Sequence, residues 1–341
     1  MLILESVEPG REASYAAAGM LAQCDPHLPA LLRPLALASA KTYPEFIRKI
    51  EGESGQRIDY RASGTILLVE AATGAETSDL KVACPESRSL GADELAALEP
   101  DLQCRSRRAI YLPEAALDPR QLVTAALTAA KHLGINLANG SSVIELLVAN
   151  GRISGVRTQQ KRFLSPIVVN CAGAWAGHIS PRRLPIRPVK GQLLAVAPQT
   201  SHDAHGNPAT QQTLQHVVRA PEVYLVPRSD GRIVIGSTLE EAGFDKQVET
   251  STIQRLQSAA ISLLPEISNC KILETWAGLR PATPDLLPVL GRTEIHGYFV
   301  AAGHYRDGIL LAPITAEIIS QIIGGLLPEF DLSPFAPSRF V

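Results

Sequence analysis

Arg280 lies in Trp276-Ala277-Gly278-Leu279-Arg280-Pro281, followed by Thr283-Pro284-Asp285. Its guanidinium is a planar fork that matches a carboxylate in two parallel, charge-assisted bonds. Tyr224, in Tyr224-Leu225-Val226-Pro227-Arg228, offers a phenol that donates one hydrogen bond without adding charge. Arg306 stands in Gly303-His304-Tyr305-Arg306-Asp307-Gly308, between an apolar strand-like run and an apolar helix-like run. This is chemistry for holding a small carboxylate. The competing role for Arg280 is an ion pair between domains, which the flanking Trp276 and Thr283-Pro284-Asp285 disfavour.

Other segments offer backbone rather than side chains. Ala16-Ala17-Ala18-Gly19 permits close approach to a flat ligand, and reads equally as a tightly packed helix start. Gly173 and Trp175, after the apolar run Ile167 to Asn170, suit either a packed turn or a ligand contact. A helix beginning near Asp307 would aim its free N–H groups at an electron-rich ligand, with the Asp307 side chain capping it. Glu5 follows an apolar strand and is either a simple strand end or, in a dinucleotide-binding unit, an acceptor for ribose hydroxyls. Such a unit carries G-x-G-x-x-G roughly 20 residues upstream. No such motif occurs in the chain, so its first strand–turn–helix is expected to be missing and its hold on a dinucleotide weak.

Several functions are excluded. A net charge of −2 and the lack of a basic, aromatic-interleaved patch argue against nucleic acid. The run Ile309 to Leu327 is broken by Pro313, Glu317 and Gln321, so a buried helix is expected rather than a membrane span. No export signal is evident, which places the protein in the cytoplasm as an expectation. Five scattered cysteines without a CxxC pair predict reduced thiols, and no histidine spacing implies a metal.

The elements that must position these residues alternate between two patterns. Leu28 to Ile50 has helical spacing interrupted near Pro34 and Pro44, and Pro119 to Leu133 reads as a helix capped by Asp118. From about Ile186 to Gly236 the pattern is antiparallel β, with a polar loop at Pro198 to Gln212. Near the end, Tyr298 to Ala302 predicts a strand that runs through Gly303 into a helix over Asp307 to Ile323. The expected fold is α/β: a parallel-sheet unit from residues 1–50, 110–183 and 271–341, interleaved with an antiparallel-sheet substrate unit from 51–109 and 184–270. The ligand site belongs in the cleft between them.

Taken in order, Glu5-Ser6, Ala16 to Leu21, Tyr224 to Arg228, Trp276 to Gly291 and Ala302 to Pro313 resemble the glycine oxidase family of the D-amino-acid oxidase superfamily. The resemblance runs from Leu2 to about Ile323. It implies a Rossmann-like, glutathione-reductase-type FAD domain without its first βα unit, and non-covalent FAD. It places Glu5 and Ser6 at the adenosine ribose. Ala13, Ser14, Ala18, Gly19 and Met20 would lie along pyrophosphate and isoalloxazine, with Val143 at the adenine and Gly173 beside the cofactor. His304, Tyr305, Arg306, Asp307, Gly308, Ile309 and Leu310 would cover the flavin's pyrimidine end.

Arg280 would take the substrate carboxylate, aided by Tyr224 and Arg306. The implied reaction passes a hydride from the Cα of glycine or a small amino acid to flavin N5, and O₂ reoxidises the flavin to give hydrogen peroxide. Supply of the imine for the thiazole of thiamine, a functional link to thiazole synthase and a homo-oligomer are further implications. The alternatives are a D-amino-acid dehydrogenase or sarcosine oxidase-like enzyme, and a non-catalytic truncated remnant.

Overall fold

The computed structural model describes residues 1–70, 84–104, 107–181, 183–198, 201–202, 208–209 and 213–340. The polar loop expected at Pro198 to Gln212 falls largely outside them. In chain order the elements that matter for the site begin with strand β1 (Leu2–Leu4) and helix α1 (Arg33–Ser54). Next come β2 (Thr65–Glu70), β3 (Arg88–Leu90), β4 (Arg107–Leu112), α2 (Pro119–His132) and β5 (Asn136–Ala138). The middle holds β6 (Val168–Asn170), β7 (Arg187–Pro198), β8 (Val217–Arg219), β9 (Tyr224–Pro227) and β10 (Ile233–Gly236). The last are α3 (Thr250–Leu263), β11 (Cys270–Ala282), β12 (Val289–Arg292), β13 (Tyr298–Ala302) and α4 (Gly308–Ile323).

The parallel pairing expected of the first unit is present as two ladders. β1 runs parallel to β5, while β6 runs parallel to β13, which β12 flanks antiparallel. Helices α1, α2 and α4 build one core around Leu35, Tyr43, Leu122, Leu310, Ile314 and Ile318. Beside these ladders stands an eight-stranded sheet in the order β11-β7-β10-β9-β8-β2-β4-β3, whose edge strand β11 comes almost wholly from residues expected in the first unit. Its pairs are antiparallel except β8 with β2, which run parallel, so the sheet is mixed. Helix α3 packs on one face through Ile253, Leu256, Ala260 and Leu263, which leaves the other face to line a cavity.

Local chemistry explains most of the boundaries. Asp118 caps α2 by accepting from the N–H groups of Arg120 (2.9 Å) and Gln121 (3.4 Å), with Pro119 in the first turn where no donor is needed. Helix α1 is less interrupted than its prolines predict. Pro34 sits in its first turn, and Pro44 lies inside an unbroken helix. The buried stripe Leu35, Ala36, Ser39, Tyr43 and Ile47 holds α1 against the core and outweighs the lost backbone bond.

The cysteine expectation is corrected: Cys24 and Cys84 form a disulfide, and Cys104, Cys171 and Cys270 are free. The pair is 60 residues apart in sequence, beyond what local spacing reveals, and the fold buries it beside Ile110 and Leu112. Among the described residues no helix is long and apolar enough to cross a membrane, and no His, Cys, Asp and Glu cluster could hold a metal ion.

Candidate active site

A cavity of about 670 Å³ lies against the open face of the eight-stranded sheet. Strand register brings one row of residues onto its wall. Leu193 on β7 opposes Gly236, Gly236 opposes Tyr224, Tyr224 opposes Arg219, Arg219 opposes Leu67, and Leu67 opposes Ile110. Directly opposed residues in a sheet share a face, so all six border the cavity.

Arg280 reaches this wall from β11 by lying flat across β7. A Cβ on Gly191 would sit 2.3 Å from both terminal guanidinium nitrogens, so only glycine leaves that path open. The guanidinium donates from Nη2 to Ser237 Oγ (2.6 Å) and from Nη1 to the Thr238 carbonyl (3.1 Å). The Tyr224 ring uses the same device, for a Cβ on Gly236 would lie 2.6 Å from its hydroxyl oxygen. Burial pushes the Tyr224 phenol above its ordinary value against the opposing pull of Arg280, so it stays protonated and can donate. Arginine and tyrosine thus converge above two glycines.

Two further chain segments complete the lining. Ala13, Ser14 and Ala16 to Met20 line one side, and Gly303 to Ile309, with Gly173, line another. The first segment is tightly held. The Tyr15 carbonyl accepts from Arg120 (3.3 Å), the Ala16 carbonyl from Trp276 Nε1 (3.0 Å) and the Ala18 carbonyl from Arg228 (2.7 Å). Ala16 also packs on β11, its Cβ 2.4 Å from where a Gly278 Cβ would stand. At the second segment, Leu311 makes the first intrahelical bond, to the Asp307 carbonyl. The N–H groups of Gly308, Ile309 and Leu310 precede the α4 ladder and form its positive end. The small-residue wall of Ala16 to Gly19 and the helix N-terminus at Gly308 suit a flat, electron-rich ring such as a flavin. The residues present fit that cofactor.

Of the residues anticipated from sequence, the cavity brings together Ala13, Ser14, Ala18, Gly19, Met20, Gly173, Tyr224, Arg280, His304, Tyr305, Arg306, Asp307, Gly308 and Ile309. Glu5, Ser6, Val143 and Leu310 are not on its wall. Glu5 Oε1 accepts from the Ser6 N–H (2.7 Å), turning the chain out of β1. Val143 opens the strand Val143–Ala149, and the Leu310 side chain is buried in the helical core. Burial pushes the His304 imidazole down to about 4, and its Nε2 bonds Thr315 Oγ1 at 3.0 Å, so it is a neutral prop for α4. Sequence reading missed Arg219, Asp25, Ser237 and Gly191. Only Gly236-Ser237, a glycine ending a strand beside a hydroxyl, carried a usable local signal.

The expected cap is also corrected. Asp307 holds the N-cap position of α4, but its side chain makes no capping bond. Its backbone angles, φ −102° and ψ 11°, are not the extended conformation from which a cap side chain folds back. The carboxyl stays on the cavity wall, where desolvation pushes it up to about 6 despite the pull of Arg306. A carboxyl with a raised folded-state value contributes most below its unfolded value and loses that contribution as pH rises through about 6. Asp307→Asn is therefore expected to gain melting temperature over the parent between pH 4 and pH 6.5, with a constant gap above. Parallel melts across that range check it; a gap that does not change with pH would place the carboxyl in full solvent.

The family model described as FAD dependent oxidoreductase matches residues 1–322. The chain belongs to this family, the FAD-dependent oxidoreductases of D-amino-acid oxidase type. It is 31% identical to the crystal structure of glycine oxidase from Geobacillus kaustophilus, covering 100% of this chain and 92% of that one, with a TM-score of 0.90. It is 35% identical to a bifunctional protein ThiO/ThiG of Synechocystis over 96% of its own length. There the chain spans about half of the relative, 48%. It is also 32% identical to hydrogen cyanide synthase subunit HcnC of Pseudomonas aeruginosa, over 97% of this chain and 79% of that protein.

Proposed function

We propose that this protein oxidises glycine or another small amino acid to its imine, using FAD and O₂ and releasing hydrogen peroxide. The observation that carries this reading is the convergence of Arg280 and Tyr224 over Gly191 and Gly236, facing the backbone walls of Ala16–Gly19 and Gly303–Ile309. When bound, the flavin supplies the two-electron acceptor for the reaction. Arg280 receives the carboxylate in its fork and Tyr224 donates to the same group, which fixes the orientation of Cα. Ser237 Oγ and the Thr238 carbonyl hold the guanidinium in plane before substrate arrives. The N–H groups of Gly308 to Leu310 would stabilise negative charge at the ring edge they face.

The division into a cofactor unit and a substrate unit stays part of this proposal, as do the roles of Glu5, Ser6 and Val143 at the adenosine end. The likeness to ThiO/ThiG supports a link to thiazole synthesis and the thiamine pathway. The likeness to HcnC favours a second reading, in which the imine of glycine is oxidised by a further two electrons to hydrogen cyanide and CO₂. One assay separates them. The FAD-saturated protein is mixed with glycine, sarcosine, D-alanine and D-proline while flavin bleaching, peroxide and cyanide are followed. Bleaching with glycine plus stoichiometric peroxide is the expected outcome. No bleaching with any of the four would overturn the proposal, and cyanide from glycine, with two electron pairs passed on per molecule, would select the second reading.

A further inference from the structure

Beside Arg280 and Tyr224 sits a third polar side chain, Ser237, which follows Gly236 at the end of β10 and borders the same cavity. Its Oγ accepts from Arg280 Nη2 at 2.6 Å. A guanidinium carries donors and no acceptor, so this bond has one possible direction. It occupies a lone pair of Ser237 and leaves the hydroxyl proton to be donated elsewhere.

The acceptor at hand is the Tyr224 phenol. Tyr224 opposes Gly236 across the β9–β10 ladder, and its hydroxyl oxygen lies 2.6 Å from where a Gly236 Cβ would stand. Burial pushes the phenol up, while the charge of Arg280 and side-chain hydrogen bonds with Ser237 and Arg280 pull it back. An oxygen that accepts from a cation becomes a stronger donor. Ser237 therefore gives its proton to Tyr224 Oη, and Tyr224 keeps its own proton for the cavity. In the reverse order Tyr224 would donate to Ser237 and meet an incoming carboxylate with lone pairs, which repel it.

We propose that Ser237 is a positioning residue for substrate: its hydroxyl relays the fixed direction of the Arg280 donor to Tyr224, so that both donors face the carboxylate at once. The inference rests on the reading that Arg280 and Tyr224 take the substrate carboxylate. The chain around Ser237 does not need the hydroxyl to keep its place. Thr238 Oγ1 accepts from the Gln192 N–H at 2.9 Å, and the Thr238 carbonyl accepts from Arg280 Nη1 at 3.1 Å. Glu240 then exchanges both backbone hydrogen bonds with Lys190, at 2.9 and 3.0 Å. Ser237→Ala should accordingly fold and take up FAD as the parent does, and its effects report on the hydroxyl.

The test is a double-mutant cycle on the protein saturated with FAD, joining the parent, Ser237→Ala, Tyr224→Phe and the double variant. Acetate, which is glycine without its amine, is titrated by thermal shift and flavin absorption change, and glycine turnover is followed alongside. Ser237→Ala is expected to weaken acetate and raise KM for glycine by about 3- to 10-fold, as for a lost neutral hydrogen bond, with kcat within about twofold. In the Tyr224→Phe background the same change should cost less than about twofold, because the proton that Ser237 orders is gone. Ser237→Thr keeps the hydroxyl and should restore most of the parent's affinity. Should Ser237→Ala fold poorly, Ser237→Cys, whose thiol donates only weakly, carries the same cycle. An equal penalty in both backgrounds, or no penalty in the parent, would overturn the relay and leave Ser237 as a rest for Arg280 alone. Failure of the carboxylate reading looks different: Tyr224→Phe and Arg280→Lys would then both leave acetate binding unchanged, and the relay would fall with it.

Discussion

Arg280→Ala is expected to lower kcat/KM for glycine by about 10- to 100-fold, mainly through KM, as a charge-assisted carboxylate contact of roughly 1.5–3 kcal/mol is lost. FAD content should not change, because the guanidinium touches Ser237 and Thr238 rather than the backbone walls. Arg280→Lys should recover only a small part. A lysine keeps the charge, but it cannot satisfy Ser237 Oγ and the Thr238 carbonyl together while presenting two parallel donors to a carboxylate. Steady-state kinetics at matched FAD occupancy check both variants. Intact kcat/KM in Arg280→Ala would move the carboxylate site elsewhere and, with it, the proposed orientation of Cα.

Asp118→Ala should produce the largest loss of stability. Asp118 is 4% exposed and has two duties. One oxygen caps α2, and the other meets Arg232 at 3.1 Å and lies 3.9 Å from Arg228. Removing the cap costs about 0.5–2 kcal/mol, and stranding a buried charge such as Arg228 costs about 3–5 kcal/mol more at its upper end. Asp118→Asn separates the terms, because the amide oxygen still caps α2 while the charge is gone. Urea unfolding should place Asn between the parent and Ala. The loss should also reach the cavity, because Arg228 holds the Ala18 carbonyl. Equal stability of Ala and parent would mean that neither duty matters.

Where a segment declares itself through its own neighbours, sequence and structure agree closely. Asp118-Pro119 announces α2, and the expected helix over Asp307 to Ile323 is found at Gly308–Ile323. Arg280 was legible because Trp276, Thr283 and Pro284 surround it in sequence. Arg219 was not, because it ends an ordinary Val-Val-Arg strand and acquires meaning only when register sets it beside Tyr224 and folding brings the Asp25 loop to it. The Cys24–Cys84 bond has the same character, a contact made by topology alone. Pro44 and Asp307 show the reverse failure. Each follows a sound local rule, and in each the outcome was decided elsewhere: by the packing of α1, and by backbone angles at Asp307 that leave its carboxyl without a capping bond.

The contact between Ala16 and Gly278 bears on how this family can drift. The two positions share a space that holds one methyl group, with 2.4 Å between the Ala16 Cβ and the place a second would occupy. Neither residue is constrained alone; their sum is. A lineage could combine Ala16→Gly with Gly278→Ala and keep the wall, but only through an intermediate with no methyl, never through one with two. The order of substitutions is therefore fixed by volume, and an alignment of related chains should show the two columns changing together, loss before gain.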